Sequence, residues 1–301
     1  MTDWSRVTRA VYRVRQHYRY SYSGPVWDIK QRLIMIPRTH DGDQRVLQHD
    51  LAVRGNEGEV DLTWIGDGFG NRVANVSVPR VALAIDFEAT FQVERDATMS
   101  GARRSAPWKA DGRRSRYLQP TALTAPDERL RDAAQEIFRS SDDPRERAER
   151  AHNWASGSIT YQYGVTGYTT PAAMALHFQK GVCQDFAHIL LALLRILNIP
   201  CRYVSGHMLG EGAAHAWVEA LLEDAASPDD VEIIAYDPTH HRRTRMDYIT
   251  VATGRDFADV SPTSGTYGGP ALGRLASTKQ AEVVELSEPT KQNEPAKQSV
   301  A

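Results

Sequence analysis

Cysteine is scarce: Cys183 and Cys201 are the two in a chain of 301 residues. Two thiols in so long a chain exclude a disulfide framework. No Cys-x-x-Cys or His-x-x-x-His pair accompanies them, which argues against a zinc site. The adjacent His240 and His241 offer a metal no more than a chance pair of ligands. A reducing compartment suits such a sequence, so a cytoplasmic location is expected. Long apolar runs are missing as well. None approaches the roughly 20 residues that span a bilayer, so no membrane partner is expected. The opening Met1-Thr2-Asp3-Trp4-Ser5-Arg6 lacks the apolar stretch of a secretory signal. Neither sign of charge dominates: 36 Lys and Arg face 38 Asp and Glu, for a formal net charge of −2. That balance gives no general reason to expect nucleic acid as partner.

What is present is ordinary in amount and ordered in pattern. At 41% hydrophobic and 25% charged, the chain is of globular type, and its length suits two domains better than one. Residues 11–20 alternate basic and aromatic side chains with the period of a half-buried strand. Further strands are expected at 31–37, stopped by Pro37, at 46–53 and at 81–93, with a hairpin turn at Gly66-Asp67-Gly68-Phe69-Gly70-Asn71. Residues 1–98 therefore read as a β-sandwich-like domain. Residues 99–120 are polar, basic and turn-rich and read as a linker. Helices follow at 127–138 and from Asp143-Pro144, a capping residue with proline at the first helical position. A short helix is expected at 172–178 and a long one at 183–197, where Phe186, Ile189, Leu190, Leu193, Leu194 and Leu197 recur at helical spacing. Strands are expected at 201–207, 215–222 and 231–236. Residues 121–276 form an α+β unit, and 277–301, low in apolar residues, read as a disordered tail.

Three residues at the edges of these elements carry chemistry. Cys183 sits where the long helix begins, in Gly181-Val182-Cys183-Gln184-Asp185-Phe186-Ala187-His188. Unpaired N–H groups and the positive end of the helix favour an anion there, and the thiolate is the reactive form of cysteine. Gly181 is expected to let backbone approach substrate closely. The bland alternative is a small buried hydrophobe, common for free cysteine. His215 opens the run His215-Ala216-Trp217-Val218-Glu219, which places His215, Trp217 and Glu219 on one face. Asp237 ends the run at 231–236 and precedes Pro238, so it either starts a turn or accepts a bond from an imidazole on the next strand. His188 and His207 stand in reserve as bases. A weaker reading gives the basic stretches 103–116 and 240–245 an acidic partner.

Together these segments resemble the bacterial transglutaminase-like superfamily. The resemblance runs through Gly181-Val182-Cys183, Ile199-Pro200-Cys201-Arg202-Tyr203-Val204-Ser205-Gly206, His215-Ala216-Trp217-Val218-Glu219, Asp237-Pro238-Thr239 and the segment from Gly254 to Pro262. Tyr18-Arg19-Tyr20, Ile36-Pro37-Arg38 and Asp67-Gly68-Phe69-Gly70-Asn71 resemble the β domain that precedes the core, so the likeness covers about residues 8–270. It implies a papain-like α+β core, in which a helix carrying the cysteine packs on an antiparallel sheet. By the same resemblance Cys183 is nucleophile, His215 base and acid, and Asp237 the group that orients His215. Acyl transfer through a thioester follows, on a peptide or protein substrate. Hydrolysis is favoured, because small bacterial members of the group are usually regarded as protease-like. Transfer to an amine, or a binding module without activity, are the alternatives. Gln184 departs from the arginine that many relatives carry beside the cysteine. No EF-hand loop is present, and no cofactor or metal is implied.

Overall fold

The computed structural model of the protein describes residues 2–99, 113–224 and 227–288. The chain opens with strands β1 (Arg9–Tyr22), β2 (Val26–Leu33), β3 (His40–Asp41), β4 (Gln44–Arg54), β5 (Asp61–Gly66), β6 (Arg72–Val81) and β7 (Ala84–Asp96). Helices α1 (Arg113–Leu118), α2 (Glu128–Ser140) and α3 (Pro144–Ser158) follow, then β8 (Thr160–Tyr161), α4 (Ala172–Phe178), β9 (Lys180–Gly181) and α5 (Cys183–Ile196). The remainder is β10 (Cys201–Met208), β11 (His215–Asp224), β12 (Ser227–Asp237), β13 (Arg242–Arg243), β14 (Tyr248–Gly254), α6 (Phe257–Val260), β15 (Thr263–Gly268) and β16 (Gly273–Ser287).

Two sheets make the sandwich, in the orders β16-β1-β7-β4-β3 and β15-β2-β6-β5. The alternation read in β1 is real: Tyr12, Val14, Gln16 and Tyr18 are buried, while Arg13, Arg15 and Arg19 face out. The buried set meets Ile29, Leu33, Val76 and Val78 of the other sheet in one core. On the outer face Arg13 pairs with Glu282 at 2.9 Å and Arg19 with Asp86 at 2.7 Å. Such exposed pairs contribute at most about 1 kcal/mol each, so the apolar core carries the stability.

The expectation of a disordered tail at 277–301 needs correction over 277–287; residues 289–301 lie outside the described residues. Residues 273–287 are a strand, not disordered chain, and they run antiparallel to the whole of β1. Their side chains are mostly exposed because β16 lies at a sheet edge, which is why composition reads as unstructured. β15 likewise joins β2, so the sandwich draws on both ends of the described chain and the boundary at 276 divides it wrongly. The expected strand at 31–37 is also displaced. β2 ends at Leu33, and Ile34, Met35 and Ile36 are buried beyond it, with Ile34 N–H donating to Pro262 O. Within the expected linker, 113–118 is helix α1; residues 100–112 lie outside the described residues.

The second unit is a five-stranded antiparallel sheet, β13-β12-β11-β10-β14, against which α5 packs on β10 and β11. Helices α2, α3 and α4 also pack on α5. Every residue of α5 from Gln184 to Arg195 is buried. Large side chains such as Phe186, Ile189, Leu190 and Leu193 each contribute about 1.5–3 kcal/mol by burial, enough to fix the position of the helix and of its first residue. No helix among the described residues is long and apolar enough to cross a membrane.

Candidate active site

Cys183 is the first residue of α5 and half-buried. The N-cap, Val182, has no polar side chain, and Asp185 one turn on supplies what it lacks. The Asp185 carboxylate accepts the Val182 N–H at 2.7 Å and the Thr166 hydroxyl at 2.6 Å. Burial still raises its proton affinity above the usual carboxylate range, against those two bonds. Gly181 is required by this fold-back: a Cβ there would lie 2.6 Å from Asp185 Oδ2. The room at Gly181 thus serves Asp185. The Asp185 and Phe186 N–H groups donate to Val182 O, whereas the Cys183 N–H has no partner among the described residues.

Cys201 is free but is a different kind of thiol. It is fully buried, its Sγ lies 3.7 Å from Leu191 O, and burial pushes its thiol up to about 11.

The sheet brings the other two residues to the cysteine. His215 begins β11 and Asp237 ends β12, neighbouring strands in register at Val218 and Tyr236. His215 Nε2 lies 2.7 Å from Asp237 Oδ2. Asp237 takes one ring nitrogen, and the other is left for sulfur. Cys183 Sγ also lies 4.0 Å from the carbonyl oxygen of Ala214, the residue before His215. Burial alone would strip a proton from His215. The hydrogen bonds and negative charges of Asp237 and Cys183 outweigh it and lift the imidazole to about 10. Asp237 is completely buried, which by itself favours its neutral form. Bonds from His215, His240 and Tyr248 win, and hold it well below the usual carboxylate range.

Asp237 is the hub of a network that the sequence reading found only in part. Its Oδ2 accepts from Tyr248 Oη at 2.6 Å and lies 2.8 Å from His240 Nδ1. Its Oδ1 accepts the N–H groups of Thr239 at 3.0 Å and His240 at 3.2 Å. Trp217 stacks against His215 with centroids 6.2 Å apart and meets Tyr248 edge-on at 5.4 Å. Gly206, opposite His215 in the ladder, makes space for the Ile249 carbonyl and for that indole: a Cβ there would lie 2.1 Å from Ile249 O and 2.5 Å from the Trp217 ring. Donor atoms of His215, Asp237 and His240 lie within 4.8 Å of one another. Their shared Oδ2 already joins them as a hydrogen-bonded cluster.

Not every candidate joins the site. Glu219 shares its face with His215 and Trp217 but is paired with Arg202 at 2.5 Å. His188 is buried and accepts the Phe257 N–H at its Nε2, and burial drives it down to about 3, so it is neutral. His207 is buried too and held well below its ordinary value by the same cause. Of the basic stretches, 240–245 is bound up locally: Arg242 pairs with Asp247 at 3.3 Å and Arg243 with Glu149. Most of 103–116 lies outside the described residues.

A buried helix that offers a cysteine to a histidine and an aspartate on an antiparallel sheet defines the papain-like class of thiol folds. Residues 131–238 match the family model of the transglutaminase-like superfamily, and residues 12–94 match the bacterial transglutaminase-like N-terminal region. The chain belongs to the transglutaminase-like superfamily and carries both parts. It is 38% identical over 162 residues to an uncharacterized protein of Mycobacterium leprae, covering 50% of this chain and 55% of the relative, about half its length. It is 29% identical over 276 residues to an uncharacterized protein of Mycobacterium bovis, covering 84% and 86% of the two. Among solved structures, a candidate cysteine protease from Cytophaga hutchinsonii superposes with a TM-score of 0.73 at 20% identity, over 94% of this chain and 93% of that one. At that identity the likeness is one of fold.

Proposed function

We propose that the protein is a thiol-dependent acyl-transfer enzyme that cleaves peptide or carboxamide bonds through a thioester on Cys183. The observation that carries the reading is the convergence of the three residues: Cys183 Sγ lies 4.0 Å from the carbonyl oxygen of Ala214, next to His215, and His215 Nε2 lies 2.7 Å from Asp237 Oδ2. An imidazole so placed holds the proton that sulfur gives up. The sulfur attacks the carbonyl carbon and the carbonyl π electrons move to oxygen. The unpartnered Cys183 N–H is the donor available to that oxyanion. As the tetrahedral adduct collapses, the C–N bond breaks, and the His215 imidazolium gives its proton to the departing amine. Water then attacks the thioester, His215 takes one of its protons, and the acid leaves as sulfur regains its electrons. Asp237 keeps the ring oriented and stabilises its charged form throughout. The same residues serve an amine acceptor in the second step, so the acceptor decides between amidase and transglutaminase.

Trapping tests the reading. The protein is incubated with a peptide library, quenched in acid, and the mass carried by Cys183 is read. An acyl adduct that disappears in Cys183→Ala supports the proposal. No adduct from any peptide, with Cys183 alkylating no faster than an unfolded thiol, would overturn it. A primary amine added to the reaction tells transfer from hydrolysis by the product formed.

A further inference from the structure

One loop is fastened to the start of α5 on both sides of the thiol. Residues 159–171 join α3 to α4. β8 pairs with β9, which sets Tyr161 beside Gly181, and the Gln162 N–H donates to Gly181 O at 2.8 Å. Further on, the Thr166 hydroxyl donates to Asp185 at 2.6 Å. The Gln184 side-chain amide reaches Gly167 O at 3.4 Å and Tyr168 O at 3.3 Å. The anchors are thus Gly181 before Cys183, and Gln184 and Asp185 after it. The loop also ties itself: the Gly167 N–H donates to the Thr170 hydroxyl at 2.9 Å, and the Thr170 N–H to Gly167 O at 3.0 Å.

This loop carries three tyrosines into water. Tyr161 is 52% exposed, Tyr163 81% and Tyr168 68%. Tyr161 and Tyr163 have no ring partner among the described residues. Tyr168 lies flat on Phe257, with centroids 5.2 Å and planes 9° apart, so one face is covered and the rest of the ring is open. Phe257 is held in turn by its N–H on His188 Nε2 at 3.2 Å, one turn along α5 from Gln184. Paired residues of a ladder share a face, so Tyr161 lies on the side of Gly181 that faces Asp185. The 209–214 turn reaches the thiol from elsewhere in the chain, with Ala214 O 4.0 Å from Sγ. Fixed aromatic side chains beside a nucleophile, left unburied, mark a binding surface, because each ring offers apolar area that a ligand can cover.

Resting on the acyl-transfer reading above, we propose that Tyr161 and Tyr168 bind a large apolar side chain of the acyl donor, so that the substrate is a peptide with an aromatic or branched aliphatic residue beside the bond that Cys183 attacks. These two are chosen over Tyr163 because their own backbone lies against Gly181 and Gln184. A tyrosine has two side-chain torsions and gives up little freedom on contact, which suits a ring that waits in water for a ligand. The rings set specificity and take no part in bond making.

Alkylation separates this inference from the reaction it serves. Cys183 is treated with phenyl vinyl sulfone and with methyl vinyl sulfone, in the wild type and in Tyr161→Ala, Tyr168→Ala, Tyr161→Phe and Tyr168→Phe. Both reagents add to sulfur in the same way, and only the first brings a ring. Comparing the ratio of the two rates between proteins cancels the reactivity of the thiol and the intrinsic difference between the reagents. The ratio is expected to fall about 3–10-fold in each alanine variant and to stay near wild type in the phenylalanine variants, which keep the ring. The rate with the methyl reagent should stay constant and so report an intact helix start. A ratio that is the same in all five proteins overturns the proposal, and so does one that falls equally in the alanine and phenylalanine variants. A ratio that falls as expected while no peptide acylates Cys183 upholds the apolar subsite and sinks the acyl-transfer reading instead. Where peptides do turn over, Phe and Ala are compared at the residue beside the bond. A preference for Phe that is lost in Tyr168→Ala or Tyr161→Ala through KM, with kcat kept, supports the assignment, and one retained in both refutes it.

Discussion

His215 Nε2 and Asp237 Oδ2 lie 2.7 Å apart at the edges of two neighbouring strands, with both residues shut away from water. In so dry a place neither charge is stable without the other. The pair is therefore one unit, and its chemistry responds to pH as one unit.

Stability should follow the two shifted groups in opposite directions. His215 binds its proton more tightly in the folded protein, to about 10, than the roughly 6.5 of an unfolded chain. Its contribution is complete below about 6.5 and is lost as pH rises through about 10. Asp237 is held below its unfolded value of about 3.9, so its contribution is present above that value and lost as pH falls. Denaturant midpoints measured across pH should show a plateau between these limits. His215→Ala should flatten the alkaline decline; an equally steep decline in the variant would contradict the assignment.

Activity should show the same alkaline limit. The rate constant kcat/KM is expected to fall with an apparent value near 10, a property of the coupled group, not of one residue. Asp237→Asn removes the charge that lifts His215, so the fall should move to lower pH, and kcat should drop about 10²–10⁴-fold. A pH profile identical to the wild type would show that Asp237 does not tune the imidazole.

The two thiols should behave as opposites. Cys183→Ala is expected to abolish turnover, by about 10⁴-fold or more, with little change in the unfolding midpoint. Cys201→Ser should leave turnover near wild type but destabilise by about 1–3 kcal/mol, because it buries a hydroxyl where a sulfur packs beside Leu191 O. Mass spectrometry after limited iodoacetamide treatment should find the label on Cys183 alone.

Gly181→Ala probes how the helix start is built. The added methyl would meet the Asp185 side chain at under 3 Å, so the carboxylate must leave the Val182 N–H. We expect a loss of about 1–3 kcal/mol and a larger loss of activity than of fold, since Cys183 sits two residues on. Unfolding midpoints and kcat measured on one preparation give both readings.

Tyr248→Phe removes one bond to Asp237 and leaves the ring against Trp217. About 1 kcal/mol of stability and about a tenfold drop in kcat are expected, with KM unchanged. A rise in KM alone would instead place Tyr248 against substrate.

Cys183, His215 and Asp237 were legible because each stands at the edge of a regular element inside a short contiguous motif. The buried α5 was legible for a similar reason, since its periodicity is carried by large apolar residues. Tyr248 was not, because its bond to Asp237 depends on how β14 is placed beside β10, a long-range pairing that leaves no local mark. His240 was seen only as a possible metal ligand and part of a basic stretch; its bond to Asp237 depends on the turn after β12. The partner of Gly181 is not legible, because a glycine signals that space is needed without saying which atoms fill it. β16 was missed because an edge strand with little to bury resembles a solvated tail.

The pairing of β1 with β16, and of β2 with β15, ties the order of synthesis to the completion of the sandwich. During translation β1 and β2 emerge long before β16 and β15 and must wait with one open edge each, a state that invites aggregation. Helix α5 and its sheet can assemble meanwhile, but the free edge of β1 is covered only when β16 leaves the ribosome. A nascent chain thus holds its thiol before the sandwich has gained either of its late strands.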